Sequence, residues 1–213
     1  MRRELATSIG RRFARFATRT VVSRPSLWPV FRGPLRRQFH RLAPGWDAMR
    51  DPDHLASFEA ALATVLPPPA RALDLGTGTG AGAFAIARRF PQTEVTGIDL
   101  ASGMLAEAKL RLPSELAASV RFEQGDASRL AYPDGSFELV SHANMIPFFD
   151  ELTRLLAPGG HALFAFSSGP ETPIHVPTEQ LRGELERRGF VDFAEFAPGR
   201  GTAFLARKGA VRG

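Results

Sequence analysis

The residues best suited to chemistry stand in one short stretch, Asp74-Leu75-Gly76-Thr77-Gly78-Thr79-Gly80-Ala81-Gly82. Glycine at every second position lets a backbone turn sharply and approach a ligand closely. Gly76, Gly78 and Ala81 satisfy the dinucleotide fingerprint, and Asp99 follows about 20 residues on, where an acid takes a ribose. An NAD(P)-dependent oxidoreductase is therefore a serious rival reading. Three features turn against it. Asp74 puts a carboxylate two residues before the first glycine, where a pyrophosphate is repelled and an amino-acid ammonium is attracted. Gly125-Asp126 places a second acid after the third strand. The chain then ends in a helix and two strands rather than a second three-strand half. The discriminator between the two readings is whether Asp74 and Asp126 both face the ligand.

The loop needs a strand before it and a helix after it, and the hydrophobic pattern supplies them. Strands are expected near 71–75, 94–99, 119–124, 137–142 and 161–167, alternating with helices that end near 89, 112 and 157. A helix over 178–189 precedes two strands, 191–197 and 202–207, split by a hairpin-like turn at 198–201. This alternation predicts one doubly wound α/β domain. It is a seven-stranded sheet in a three-layer sandwich, mostly parallel, with an antiparallel C-terminal edge. Ahead of it, Asp51 and Pro52 look like the start of a helix whose stripe is Leu55, Phe58, Leu62 and Val65, ended by Pro67-Pro68-Pro69. Pro158-Gly159-Gly160 reads as a turn.

Asp74-Leu-Gly-Thr-Gly-Thr-Gly80, Gly97-Ile-Asp99-Leu100, Gly125-Asp126 and Leu156-Ala-Pro-Gly-Gly160 resemble, in order and spacing, the motifs of class I S-adenosylmethionine-dependent methyltransferases. The nearest type is the small-molecule group related to ubiquinone and menaquinone methyltransferases, over about residues 46–208. The resemblance implies S-adenosyl-L-methionine as cofactor, with Gly76, Thr77, Gly78 and Gly80 shaping the loop around it. It implies Asp74 near the methionine ammonium, Asp99 on both ribose hydroxyls and Asp126 on the adenine amino group. Ala127 would donate its backbone N–H to the adenine, and Leu100 and Met104 would flank the ring. Trp46-Asp47 matches an aromatic-Asp pair at the cofactor entrance. Strand four ends in Ser141-His142-Ala143-Asn144-Met145-Ile146-Pro147, where the family meets its substrate. That run lacks the amide and adenine N-methyltransferase motif. His142, as a base, and Asn144, as a cofactor or substrate contact, are the weak catalytic candidates. The acceptor reads as a small or lipophilic molecule. A protein that binds the cofactor without catalysis is the rival from another class, favoured if Phe148, Phe149 or the N-terminal arm fills the acceptor space.

Charge sets residues 1–50 apart from the domain expected over 51–213. They hold twelve arginines against two acids, net +10, so the rest carries −5 of the total +5. A helix over 2–22 is expected, with Leu5, Ile9, Phe13 and Phe16 as its apolar stripe, followed by prolines and a short helix over 35–42. This helical extension either packs on the domain as a lid, lies on an anionic membrane, or, less readily, binds nucleic acid; packing is preferred. No apolar run is long enough to cross a bilayer, and neither a secretory signal nor a metal site is expected. An organelle transit peptide shares the arginine-rich, acid-poor character. The absence of cysteine excludes disulfides and thiolate metal sites and fits a cytoplasmic setting.

Overall fold

The computed structural model describes the backbone of residues 2–210 and the side chains of residues 9–210. Seven strands are present: β1 (Arg71–Leu75), β2 (Glu94–Asp99), β3 (Val120–Gln124), β4 (Phe137–Ala143), β5 (Leu156–Phe166), β6 (Phe190–Phe196) and β7 (Thr202–Lys208). They form one sheet in the order β3-β2-β1-β4-β5-β7-β6. The first five strands pair in parallel, while β7 runs antiparallel to both β5 and β6. This is the predicted doubly wound sheet with an antiparallel edge. The central strands β1 and β4 are almost continuously buried, as parallel strands covered on both faces must be.

Alternate strand residues serve two cores. Leu73, Leu75, Val140 and Phe164 meet α6 (Phe149–Leu155), α7 (Thr178–Glu186) and the N-terminal helices α1 (Arg2–Ser23) and α2 (Trp28–Leu42). Ala72, Val95, Leu139 and Leu163 meet α3 (Ala56–Leu62), α4 (Ala81–Arg89) and α5 (Ser102–Arg111). The arm is thus built into the first core through Ala17, Val21, Trp28, Phe31 and Leu35.

Four expectations need correction. The stripe of α1 is wrong: Ile9 and Phe16 are 61% and 60% exposed, while Ala14, Ala17, Val21 and Val22 are buried. Small residues face inward because the helix lies close on the domain, and Leu5 falls outside the described side chains. The second helix starts at Trp28 rather than 35 and runs through Pro34. Pro29 occupies the first turn, where a missing N–H costs nothing, and burial of Trp28, Phe31 and Leu35 outweighs the interior proline. Asp51-Pro52 forms turns, and α3 begins only at Ala56, though Phe58, Leu62 and Val65 are buried as expected. Pro158-Gly159-Gly160 lies inside β5 as an irregular stretch, across which pairing jumps from Phe137↔Leu156 to Leu139↔His161. A Cβ on Gly160 would meet the Glu138 carbonyl oxygen at 2.8 Å, so the approach there requires glycine.

Candidate functional site

The loop between β1 and α4 turns because Gly76 and Gly78 hold φ of +67° and +55°, backbone that side chains resist. A Cβ on Gly76 would also sit 2.7 Å from Met145 Cγ. The loop is tied to the end of β2. Thr77 N–H donates to the Ile98 carbonyl at 2.9 Å, and Gly78 N–H donates to Asp99 Oδ2 at 2.9 Å. Ala101 N–H donates to Asp99 Oδ1 at 2.8 Å. Each Asp99 oxygen thus holds one backbone donor and keeps a lone pair for the cleft. Burial pushes the Asp99 carboxyl up to about 6 against those two hydrogen bonds.

Below the loop lies a cleft of about 870 Å³ including its open mouth. One wall is the loop and the strand ends: Gly76, Gly78, Asp99, Leu100, Met104 and Ala127. The other is the arm: Ala14 of α1, and Trp28, Leu35, Arg36 and Phe39 of α2. Asn144, Met145, Ile146 and Phe148 close one end with Ile174. A smaller cleft adjoins at Arg50, Gly76 and Asn144 and reaches Thr77 and Ser167.

The expected carboxylates fall in different places. Asp99 faces the cleft. Asp74 is buried beneath the loop and lines neither cleft. Its Oδ1 accepts from Ser141 Oγ at 2.7 Å, its Oδ2 has no partner, and burial raises its pKa. Asp126 is held by the arm. Trp28 Nε1–H donates to its Oδ1 at 2.8 Å, Arg32 reaches Oδ2 at 3.2 Å, and Ser128 Oγ donates to Oδ1 at 2.7 Å. Burial pushes Asp126 up, but these hydrogen bonds outweigh it and leave the carboxyl below its usual range. Neither Asp74 nor Asp126 therefore opens into the cleft, and the discriminator against an oxidoreductase does not decide. Gly80 (φ +91°) sits behind the loop against Phe84 and Phe122.

The two weak catalytic candidates also separate. His142 is buried, stacks on Phe164 at 4.9 Å and has no partner for either ring nitrogen. Burial pushes its pKa down to about 3, so it stays neutral. It does not line either cleft. Asn144 lines both and holds φ of +54°, a conformation asparagine tolerates. Its Oδ1 accepts from Ser167 N–H at 2.9 Å, which leaves its amide N–H groups for a ligand.

Sequence reasoning missed Arg50, whose guanidinium lies within 3.7 Å of where a Gly78 Cβ would be. Burial lowers its pKa, opposed by Asp47 and Asp74. Its signal was its place three residues after Asp47, to which it pairs at 3.5 Å. Trp46 lines the cleft, while Asp47 turns outward to accept from Thr79 Oγ1 at 2.6 Å and pair with Arg111 at 2.7 Å.

Comparison with known proteins agrees with the four motifs. Residues 72–160 match the methyltransferase-domain family. The chain is 37% identical over 125 residues to trans-aconitate 2-methyltransferase of Methylobacterium nodulans, covering 54% of this chain and 45% of that protein. It is 39% identical over 108 residues to demethylmenaquinone methyltransferase of Deinococcus radiodurans, covering 47% and 44%. The chain spans about half the length of the curated relatives it matches. Among solved structures, Haemonchus contortus phosphoethanolamine N-methyltransferase 2 in complex with S-adenosyl-L-methionine superimposes with a TM-score of 0.59. It is 21% identical and covers 74% of this chain and 52% of that one. The [4+2]-cyclase SpnF superimposes with 0.60 at 21% identity, covering 74% and 81%. Both likenesses show the fold. The resemblance to class I S-adenosylmethionine-dependent methyltransferases therefore holds in motif order, family match and topology.

Proposed function

We propose that the protein transfers a methyl group from S-adenosyl-L-methionine to a small or lipophilic acceptor. The observation that carries this reading is Asp99, fixed by two backbone N–H groups at the tip of β2 and facing the cleft under the glycine loop. The relatives named for trans-aconitate and demethylmenaquinone support a small-molecule acceptor. In this reading residues 51–213 form the methyltransferase domain and residues 1–50 its roof, and a cysteine-free chain fits the cytoplasm.

The residues present fit the cofactor. Asp99 would accept from both ribose hydroxyls, a two-oxygen task suited to a carboxylate. Leu100, Met104 and Ala127 would enclose the adenine. Arg50, beside Gly78, would hold the amino-acid carboxylate, and Asp74 would attract the ammonium, through water, from beneath Gly76. When bound, the cofactor supplies an electrophilic methyl on a sulfonium. The chain's part is alignment: Asn144, Met145, Ile146, Trp28 and Phe148 bound the space where an acceptor would lie, and proximity alone is a large share of catalysis. His142 takes no part as a base, since it is buried outside the lining of both clefts and burial lowers its affinity for a proton.

Calorimetric titration with S-adenosylmethionine, S-adenosylhomocysteine and NAD tests the reading. The first two should bind and NAD should not. Binding of NAD without either adenosyl compound would overturn it in favour of an oxidoreductase.

A further inference from the structure

We propose that the outer face of the α1–α2 hairpin is a docking surface for an anionic lipid bilayer. The argument begins with a helix that has more apolar surface than one burial can use. The inward row of α1 is Ala14, Ala17 and Val21, all buried. Ile9 and Phe16, 61% and 60% exposed, share another row, roughly 120° round the helix from the first at 3.6 residues per turn. A soluble helix needs a single apolar stripe facing its core.

The second row lies on the seam with α2. The Phe16 ring stands 5.9 Å from that of Phe31, and a Cβ on Gly10 would meet Gln38 Nε2 at 2.9 Å, so the two helices run side by side. Val30, 66% exposed, stands on α2 about 100° round the helix from the buried Phe31. The hairpin thus exposes three large apolar side chains, Ile9 and Phe16 on α1 and Val30 on α2, while its inner face walls the cleft through Ala14, Trp28 and Leu35.

Charge selects the partner. Nine arginines and no acid lie between Glu4 and Asp47, and there is no lysine in the first fifty residues. Arg12, Arg19, Arg37 and Arg41 are exposed, while Arg36 lines the cleft and Arg15 reaches the Glu171 carbonyl. Guanidinium groups pair with phosphate in a two-point fork. With +10 on the arm and −5 on the rest, the molecule would turn the arm toward a negative surface. The apolar row distinguishes that surface. A nucleic-acid backbone offers no place to bury isoleucine, phenylalanine and valine, whereas the headgroup–acyl boundary does. A second copy of so basic a face is repelled. The docking stands apart from the proposed reaction; only one corollary rests on that reading, that an apolar acceptor would reach the cleft from the lipid through the wall the hairpin forms.

Co-sedimentation of the full chain with phosphatidylcholine vesicles, with and without phosphatidylglycerol, at low and high salt tests the proposal. The protein should bind the mixed vesicles alone and release them as salt rises. The combined variant Ile9→Ser, Phe16→Ser and Val30→Ser should weaken partition about tenfold or more with the melting temperature and S-adenosylmethionine titration unchanged. Should it not fold, Arg12→Gln with Arg19→Gln and Arg37→Gln serves instead, and should abolish the preference for phosphatidylglycerol. Failure to bind mixed vesicles, or equal binding to neutral ones, overturns the proposal. So does salt-sensitive binding to a duplex DNA probe without vesicle binding, or a dimer in sedimentation velocity that the apolar variant dissolves. A protein that binds vesicles but not S-adenosylmethionine would sink the proposed reaction and leave the docking surface standing.

Discussion

The two walls of the cleft are built on different terms. The floor hangs from the tips of β1, β2 and β4, whose places are set by unbroken parallel pairing of β1 with both neighbours. Asp99 is then trimmed by two backbone N–H groups. The roof meets the domain through side chains: Trp28 on Asp126, His40 Nδ1 accepting from Gly103 N–H at 3.1 Å, and Arg11 on the Glu171 carbonyl at 3.0 Å. Groups that must be placed accurately sit where the backbone holds them. The roof is held by contacts that can be changed one at a time.

That contrast ranks the expected effects of mutation. Asp99→Ala should weaken S-adenosylmethionine binding by roughly 2–4 kcal/mol, since two hydroxyls lose a charged acceptor, and Gly78 N–H and Ala101 N–H lose their partner. Titration calorimetry measures it, and wild-type affinity in a folded variant would place the ribose elsewhere. Next comes acid. The folded Asp99 carboxyl titrates near 6, and ribose hydroxyls favour its charged form, so affinity should rise with pH through that value. Between pH 7.5 and 5 the loss should approach about tenfold, and a flat profile would mean that another group holds the ribose. For the empty protein the sign is opposite: with its folded pKa raised above 3.8, Asp99 favours the fold at low pH, and that contribution fades between about 4 and 6.

On the roof, Trp28→Phe keeps the edge contact with Phe148, now 5.1 Å between ring centres, and removes the donor to Asp126. Stability should fall by roughly 1–2 kcal/mol, read from chemical denaturation, and no change would show that the arm is held by packing alone. The smallest effect is expected at His142. Its nitrogens are buried without partners, so His142→Leu should leave the melting temperature unchanged or raised and cofactor affinity intact. A large loss of either would restore a functional role.

The floor was legible because its features are local. Glycine spacing, an acid at a strand tip and alternating apolar runs need no knowledge of distant neighbours, and Asp99, Leu100, Met104 and Asn144 line one cleft. Asp126 was legible as a position and not as an environment, because its partner Trp28 lies 98 residues away. On the arm, size misled. Phe16 and Ile9 outrank alanine by hydrophobicity, but the closeness of approach decides which side faces in, and closeness belongs to tertiary packing. Pro34 failed as a helix breaker for a related reason: burial of its neighbours Phe31 and Leu35 is invisible to a local rule.

The pairing of β1 with β4 joins Ala72 to Leu139, sixty-seven positions apart along the chain. Asp99 lies before β4 is reached and Asn144 just after it, so the two banks of the cleft are made at different times. A chain emerging from a ribosome has made Asp99 and its two donors before β4 exists, whereas the bank that Asn144 supplies waits for β4 to be laid beside β1, a closure of long reach and slow formation. A small molecule that spans both banks would bind the finished fold alone and lengthen its lifetime by mass action.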